Sequence, residues 1–147
     1  MNARTVLFPT DFSPSADAGL EYATSLARDS GGKLLIVHVE EPPLAYAAGE
    51  MYYGVPQHNT VALTRLLEAV KPTDPAVPYE HRLLAGDPAG AVVDFAKREN
   101  VDVIVMGTHG RKGLSRLLMG SVAEAVVRRA ECPVLTVKPT QHAPVTA

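Results

Sequence analysis

The sequence predicts an α/β fold in which a doubly wound five-stranded parallel sheet carries helices on both faces. Short apolar runs alternate with longer segments whose apolar residues recur at helical spacing, in the order β-α-β-α-β-α-β-α-β. Strands that are apolar at successive positions are typical of a parallel sheet buried on both faces. Thr5–Phe8, Lys33–Val39 and Val103–Met106 have this pattern. An open α/β sheet is therefore expected.

The first strand and helix are marked by proline and glycine. Thr5–Phe8 is an apolar run that Pro9 ends. Ser13 is predicted to cap a helix that spans Pro14–Ser30, because proline is favoured at the first helical position. The pair Gly31-Gly32 supplies the stop.

The second strand, Lys33–Val39, contains His38, which we interpret as a core or strand-end histidine without assigned chemistry. The connection Glu40–Pro56 is long and carries three tyrosines and a methionine that could cover a ligand or partner, or simply pack on the surface. A short amphipathic helix is predicted over Val61–Val70, and a proline-punctuated loop follows it. Its apolar face is expected to comprise Leu63, Leu66, Leu67 and Val70.

The third strand, Tyr79–Leu84, is more polar than the others, which favours a position near the sheet edge. Asp87 is predicted to cap a helix that begins at Pro88 and continues to Glu99. Its inward residues are expected to be Val92, Val93, Phe95 and Ala96.

After the fourth strand, a glycine-rich stretch leads to a helix over Ser121–Ala130 and a fifth strand over Pro133–Val137. The inward face of this helix is expected to comprise Val122, Ala125, Val126 and Ala130. We expect residues 1–139 to form a single domain and residues 140–147 to form a frayed tail.

The net charge, cysteine content and apolar runs of the sequence exclude several classes of function. A net charge of −2 over 147 residues indicates no nucleic-acid or anionic-membrane partner. The single cysteine, Cys132, is interpreted as a buried structural thiol and fits a reducing compartment. We expect no signal peptide and no membrane span, so a cytoplasmic location is the default expectation.

The stretch from the fourth strand to the next helix has the layout of a phosphate-binding site. Glycines allow close approach of the backbone, and a helix N-terminus attracts anions. Gly107 follows the fourth strand and Asp11 lies just after the first. If these strands are neighbours at the point where strand order reverses, both loops face one crevice.

Two common nucleotide motifs are absent. A Walker loop requires a Gly-Lys pair followed by Ser or Thr, but Gly32-Lys33 is followed by Leu34 and precedes a strand. A Rossmann fingerprint requires glycines in the first β-to-α turn, and Thr10–Ser13 contains none.

The remaining pattern is Gly107-x-x-Gly110, nine residues, then Gly120-Ser121. It resembles the ATP-binding signature of the universal stress protein family at every fixed position, and the resemblance covers nearly the whole chain. It implies an open nucleotide-binding fold with the strand order 3-2-1-4-5. No family motif matches the segment Glu40–Pro78, whose role stays open.

The resemblance also implies the positions of the binding residues. Asp11 would lie by adenine and ribose with Pro9 and Thr10 beside it, and the backbone of Val39 would contact adenine. Gly107 and Gly110 would border the ribose and phosphates. Met106, which precedes Gly107, is included among the expected binding residues. Phosphates would be held by Gly120, Ser121 and Val122. The basic loop residues His109, Arg111, Lys112 and Arg116 could neutralise phosphate charge or simply be solvated.

The expected function is that of an ATP-binding stress-response protein whose nucleotide-bound homodimer acts as a sensor or switch. Mg²⁺ or Mn²⁺ could bind through the phosphates. A slow ATPase or nucleotidyl-transfer enzyme is the alternative, although no catalytic residue is assigned. The fifth strand, Val134–Val137, would form the dimer contact, because an apolar edge strand can pair with another chain. The sequence leaves open whether ATP is preferred over AMP and whether a further protein partner binds.

Overall fold

The computed structural model describes residues 2–42, 60–108 and 120–138 of the chain. Strands and helices alternate there in the predicted order. The elements are β1 (Thr5–Pro9), α1 (Pro14–Ser30), β2 (Lys33–Glu40), α2 (Thr60–Glu68), β3 (Tyr79–Ala85), α3 (Pro88–Arg98), β4 (Val103–Gly107), α4 (Ser121–Arg129) and β5 (Val134–Val137). Most of the predicted connection after β2 and the predicted tail lie outside the described residues.

The five strands form one parallel sheet in the order β3-β2-β1-β4-β5, which confirms the predicted fold class and strand order. The polar strand β3 lies at one edge, as its composition predicts. β5 forms the other edge, and β1 lies at the centre between β2 and β4. The reversal of strand order therefore falls between β1 and β4.

Successive residues of the central strands point to opposite faces of the sheet and fill two separate cores. On one face they pack with α1 and α2, and on the other with α3 and α4. The first set comprises Val6, Phe8, Leu34, Ile36, Val103 and Val105. The second comprises Leu7, Leu35, Val37, Ile104 and Met106. Burial on both faces explains the continuous apolar runs of these strands.

The apolar face of α2 differs from the prediction at one position. Leu67 is buried, whereas Leu66 is 50% exposed. Leu66 and Leu67 are successive residues, so their side chains lie about 100° apart around the helix, and the buried side is centred nearer Leu67 than the four-residue pattern predicts. The predicted inward position of Leu66 was wrong.

The first turn of α4 also differs from the prediction. Ala123 and Val126 are buried against the sheet, whereas Val122, which was predicted to face inward, is 38% exposed. The buried side of α4 is centred between Ala123 and Val126, and Val122 lies beside it. Ala125 and Ala130 pack partly against the same core, as predicted. In α3, the four most buried positions include Ala89 in place of the predicted Val93, which is half-buried.

The helices α1 and α3 begin at the predicted residues, but only one of the two predicted cap side chains makes a capping hydrogen bond. Asp87 caps α3, since its Oδ2 accepts a hydrogen bond from the Gly90 N–H at 2.8 Å. Ser13 occupies the cap position of α1, but its side chain makes no capping bond and lies 3.0 Å from the Ser15 hydroxyl. Within the described ranges, no helix combines the length and apolar character that crossing a bilayer requires.

Candidate functional site

The crevice that the sequence predicts would begin where β1 and β4 stop hydrogen bonding. Five residue pairs join β1 to β2, but only Val6–Val103 and Leu7–Ile104 join β1 to β4. Alternate N–H groups of a strand point to alternate neighbours, and Thr10 donates to Val37 of β2 at 2.8 Å. The N–H of residue 9 would therefore donate to β4, and proline has none. The ladder ends, and the carboxyl ends of β1 and β4 are left without the bond that would hold them together.

The loop after β1 is a tight turn that its own side chains stabilise by hydrogen bonds to the backbone. The Asp11 Oδ1 accepts from the Ser13 N–H at 2.9 Å, and the Thr10 Oγ1 accepts from the Phe12 N–H at 3.0 Å. These bonds satisfy local backbone groups and fix the course of the chain into α1. Asp11 is half-buried. Its turn role is therefore structural, and its ligand role stays a prediction.

Phe12 holds a left-handed backbone conformation, with φ of 65°. Such a conformation is uncommon for a bulky residue and is retained where surrounding contacts impose it. The ring of Phe12 lies against the ring of His38 from β2, with centroids 4.3 Å apart. Neither residue was predicted to belong to the site. A histidine one residue before the end of a buried strand, at the edge where the crevice opens, is the sequence signal that could have indicated it.

Gly107 has a packing reason to be glycine. A Cβ at this position would lie 3.0 Å from the backbone oxygen of Ser15 and 3.8 Å from the Cα of Ala16. The first turn of α1 therefore lies directly against the end of β4. The glycine permits this close approach of α1 to the end of β4.

The two ends of the glycine signature are joined by a hydrogen bond. The Gly120 N–H donates to the Thr108 carbonyl at 2.6 Å, which ties the start of α4 to the end of β4. Gly120 occupies the cap position, and Ser121 is the first helical residue, as the predicted start of this helix requires. The first intrahelical bond runs from the Glu124 N–H to the Gly120 carbonyl at 3.0 Å.

The N-termini of α3 and α4 differ in a way that bears on anion binding. The N–H groups of residues 121, 122 and 123 precede the first intrahelical donor of α4 and need acceptors from elsewhere. In α3 the Asp87 carboxylate meets such a need. Glycine has no side chain with which to do so at α4. An anion placed there would meet aligned N–H donors and the positive end of the helix dipole.

The remaining predicted site residues fall into three groups. Val39 lies at the same edge, because its strand continues two residues beyond Val37, which is level with Pro9. The side chain of Met106 is buried among core residues, so only its backbone can face the crevice. The predicted residues His109, Gly110 and Arg111 lie outside the described residues, as do Lys112 and Arg116.

Cys132 lies away from this edge, just before β5. It is half-buried, and burial together with the nearby Asp102 charge raises the pKa of its thiol. A raised pKa keeps the thiol protonated at neutral pH, which supports the structural interpretation over a nucleophilic one. Among residues 2–42, 60–108 and 120–138, no group of three or more His, Cys, Asp or Glu side chains is placed to hold a metal ion.

Comparison with known proteins identifies the family. The model of the universal stress protein family matches residues 2–138. The chain belongs to the universal stress protein family. A universal stress protein of Methanocaldococcus jannaschii, MJ0531, is 32% identical over 146 residues, which cover 92% of this chain and 82% of that relative.

Solved structures of the family share the fold. The structure of MJ0577, also from M. jannaschii, has a TM-score of 0.81 at 27% identity and covers 95% of this chain and 99% of its own. A universal stress protein solved in complex with cAMP has a TM-score of 0.64 at 26% identity, covering 95% of this chain and all of that one. At least one relative of this fold therefore binds an adenine nucleotide.

The turn role of Asp11 can be separated from its charge by two substitutions. Asp11→Asn retains a side-chain oxygen that can accept from Ser13, so the free energy of unfolding should change by less than about 0.5 kcal/mol. Asp11→Ala removes the acceptor and should lower that free energy by about 1 kcal/mol. Urea denaturation of the three proteins measures both changes. Equal stability of Asp11→Ala and the wild type would show that the turn does not depend on this side chain.

Proposed function

We propose that the chain binds ATP in the crevice between the carboxyl ends of β1 and β4. The observation that carries the proposal is the glycine-capped N-terminus of α4, tied to the end of β4 by the bond from Gly120 to Thr108. The cAMP complex of a related protein supports adenine nucleotides as the ligand class. The intact spacing of the glycine signature supports ATP within that class.

The phosphates would lie at the start of α4. The backbone N–H groups of Ser121 and Val122 would donate to phosphate oxygens, and the Ser121 hydroxyl could add a further bond. Ser121 is exposed, so its hydroxyl is accessible without rearrangement of the helix. A cap residue with its own carboxylate would compete for these donors, which explains why glycine suits this position.

The nucleoside would lie over the turn after β1 and the end of β2. The Asp11 carboxylate can accept hydrogen bonds from ribose hydroxyls, while its Oδ1 also holds the turn. The backbone at Val39 offers a donor and an acceptor at the same edge for the adenine ring. Mg²⁺ or Mn²⁺ would be held chiefly through the phosphate oxygens, since hard divalent cations prefer oxygen ligands.

We assign this site a regulatory role and no catalytic residue. Asp11 lies at the nucleoside end, far from the place where a water would attack a terminal phosphate. Bound ATP would instead link the β1 turn to α4 and stabilise one arrangement of the two. The nucleotide-bound protein would then act as a sensor or switch in a stress response.

Gly120→Asp tests the phosphate end against Gly120→Ala. Both add a Cβ at a backbone conformation open to any residue, with φ of −64° and ψ of 154°, so they differ mainly in the carboxylate. The aspartate should cap α4, raising the free energy of unfolding by about 1 kcal/mol over the alanine variant. It should also weaken ATP binding about tenfold or more relative to alanine, because a carboxylate would occupy the phosphate site.

Urea denaturation and isothermal titration calorimetry provide the two measurements. If Gly120→Asp is more stable than Gly120→Ala but binds ATP equally tightly, the phosphates do not bind at the start of α4.

We also propose a homodimer formed through β5. β5 is an edge strand of the sheet, and its Leu135 is 38% exposed. Val127, on the neighbouring helix α4, is 46% exposed. An apolar edge strand with unpaired backbone groups can pair with a second copy, which would bury both residues.

Leu135→Lys should shift the protein from dimer to monomer, because a charged side chain opposes burial at an edge-to-edge contact. Leu66→Lys is the matched control, since Leu66 is equally large and exposed but lies on α2. Light scattering coupled to gel filtration should give twice 15.7 kDa for the wild type and control, and 15.7 kDa for Leu135→Lys. A monomeric wild type, with or without ATP, would contradict the proposal.

A further inference from the structure

His38 forms a hydrogen bond that the nucleotide proposal does not use. Its Nδ1 lies 2.7 Å from the carbonyl oxygen of Thr10, and the contact is buried. A carbonyl oxygen can only accept, so Nδ1 carries the hydrogen and donates. That carbonyl belongs to the peptide group joining Thr10 to Asp11. The bond therefore fixes the plane of the peptide from which the Asp11 side chain starts.

Thr10 is held at three points. Its N–H donates to Val37 at 2.8 Å, its carbonyl accepts from His38, and its Oγ1 accepts from Phe12. Two of the three partners belong to β2, so that strand sets the orientation of the residue before Asp11. Removing the donor of His38 would leave a buried carbonyl without that partner and free the peptide to rotate.

The left-handed conformation of Phe12 depends on the same neighbours. The ring of His38 lies at 35° to the ring of Phe12, with centroids 4.3 Å apart. The Phe12 N–H and the following Ser13 N–H are both held by side chains of the turn. His38 thus contacts the turn twice, through its Nδ1–H and through its ring, on the residues that flank Asp11.

We propose that His38 is a positioning residue that sets the geometry of the Asp11 turn for nucleotide binding. The inference rests on the proposed ATP site, but its geometric part concerns the free protein. The donor, more than the ring, carries the effect, because only the bond to Thr10 fixes the peptide plane before Asp11. Loss of that donor should loosen the turn and weaken nucleotide affinity while the sheet stays folded.

Two substitutions separate the donor from the ring. His38→Phe retains a planar ring against Phe12 and removes the donor. His38→Asn retains an N–H donor near the position of Nδ1 and removes the ring. His81→Phe is the matched control, since the Nε2 of His81 makes an equivalent 2.7 Å bond to the carbonyl of Val70, and its ring lies edge-on to Tyr79 on β3.

Calorimetry with ATP and Mg²⁺ should show about tenfold weaker binding for His38→Phe. Binding by His38→Asn should stay within about threefold of the wild type, and binding by His81→Phe should be unchanged. Cooperative urea unfolding of every variant confirms that each is folded. Wild-type affinity in His38→Phe, or equal losses in His38→Phe and His38→Asn, would overturn the assignment.

Amide hydrogen exchange in the free protein provides a readout independent of nucleotide. The amides of Phe12 and Ser13 should exchange about tenfold faster in His38→Phe than in the wild type, and at wild-type rates in His81→Phe. Unchanged exchange in His38→Phe would overturn the positioning role even if ATP binds. Faster exchange in a protein that binds no ATP would support the positioning role and reject the proposed function alone.

Discussion

The hydrogen-bond ladder between β1 and β4 ends early because residue 9 is proline, and the geometry of the candidate site depends on this. Both strands are buried on both faces, so their carboxyl ends would otherwise pair along their full length. A missing N–H at Pro9 leaves a gap at the point where strand order reverses. The turn after β1 and the connection to α4 both follow strands that end at this gap.

Packing contacts and hydrogen bonds around that opening explain why certain residues occupy their positions, where ligand binding alone would not. Gly107 is required by the close approach of α1, since a Cβ would lie 3.0 Å from the Ser15 oxygen. Asp11 closes the turn after β1 by accepting a hydrogen bond from the Ser13 N–H. The bond from Gly120 to Thr108 fixes α4 to β4 before any ligand arrives. These internal contacts hold the described parts of the candidate site in place, which would reduce the entropic cost of binding a ligand there.

The sequence predicted the fold closely because its strongest signals are local. Continuous apolar strands, the Asp87-Pro88 helix start and the Gly31 helix stop all determine structure within a few residues. The inward faces of α2 and α4 were less accurate, since Leu66 and Val122 are exposed by helix rotations that depend on tertiary packing. The contact of His38 with Thr10 joins residues 28 positions apart, and periodicity carries no information about such a contact.

An NMR titration of the labelled protein with ATP and Mg²⁺ tests the central claim most directly. Saturable shifts should appear at the amides of residues 10–13 and 120–123, on both sides of the opening. Residues of β3 below its carboxyl end, such as Tyr79 and Glu80, should not shift. Saturable shifts confined to another surface, or no shifts at millimolar ATP, would contradict a nucleotide site between β1 and β4.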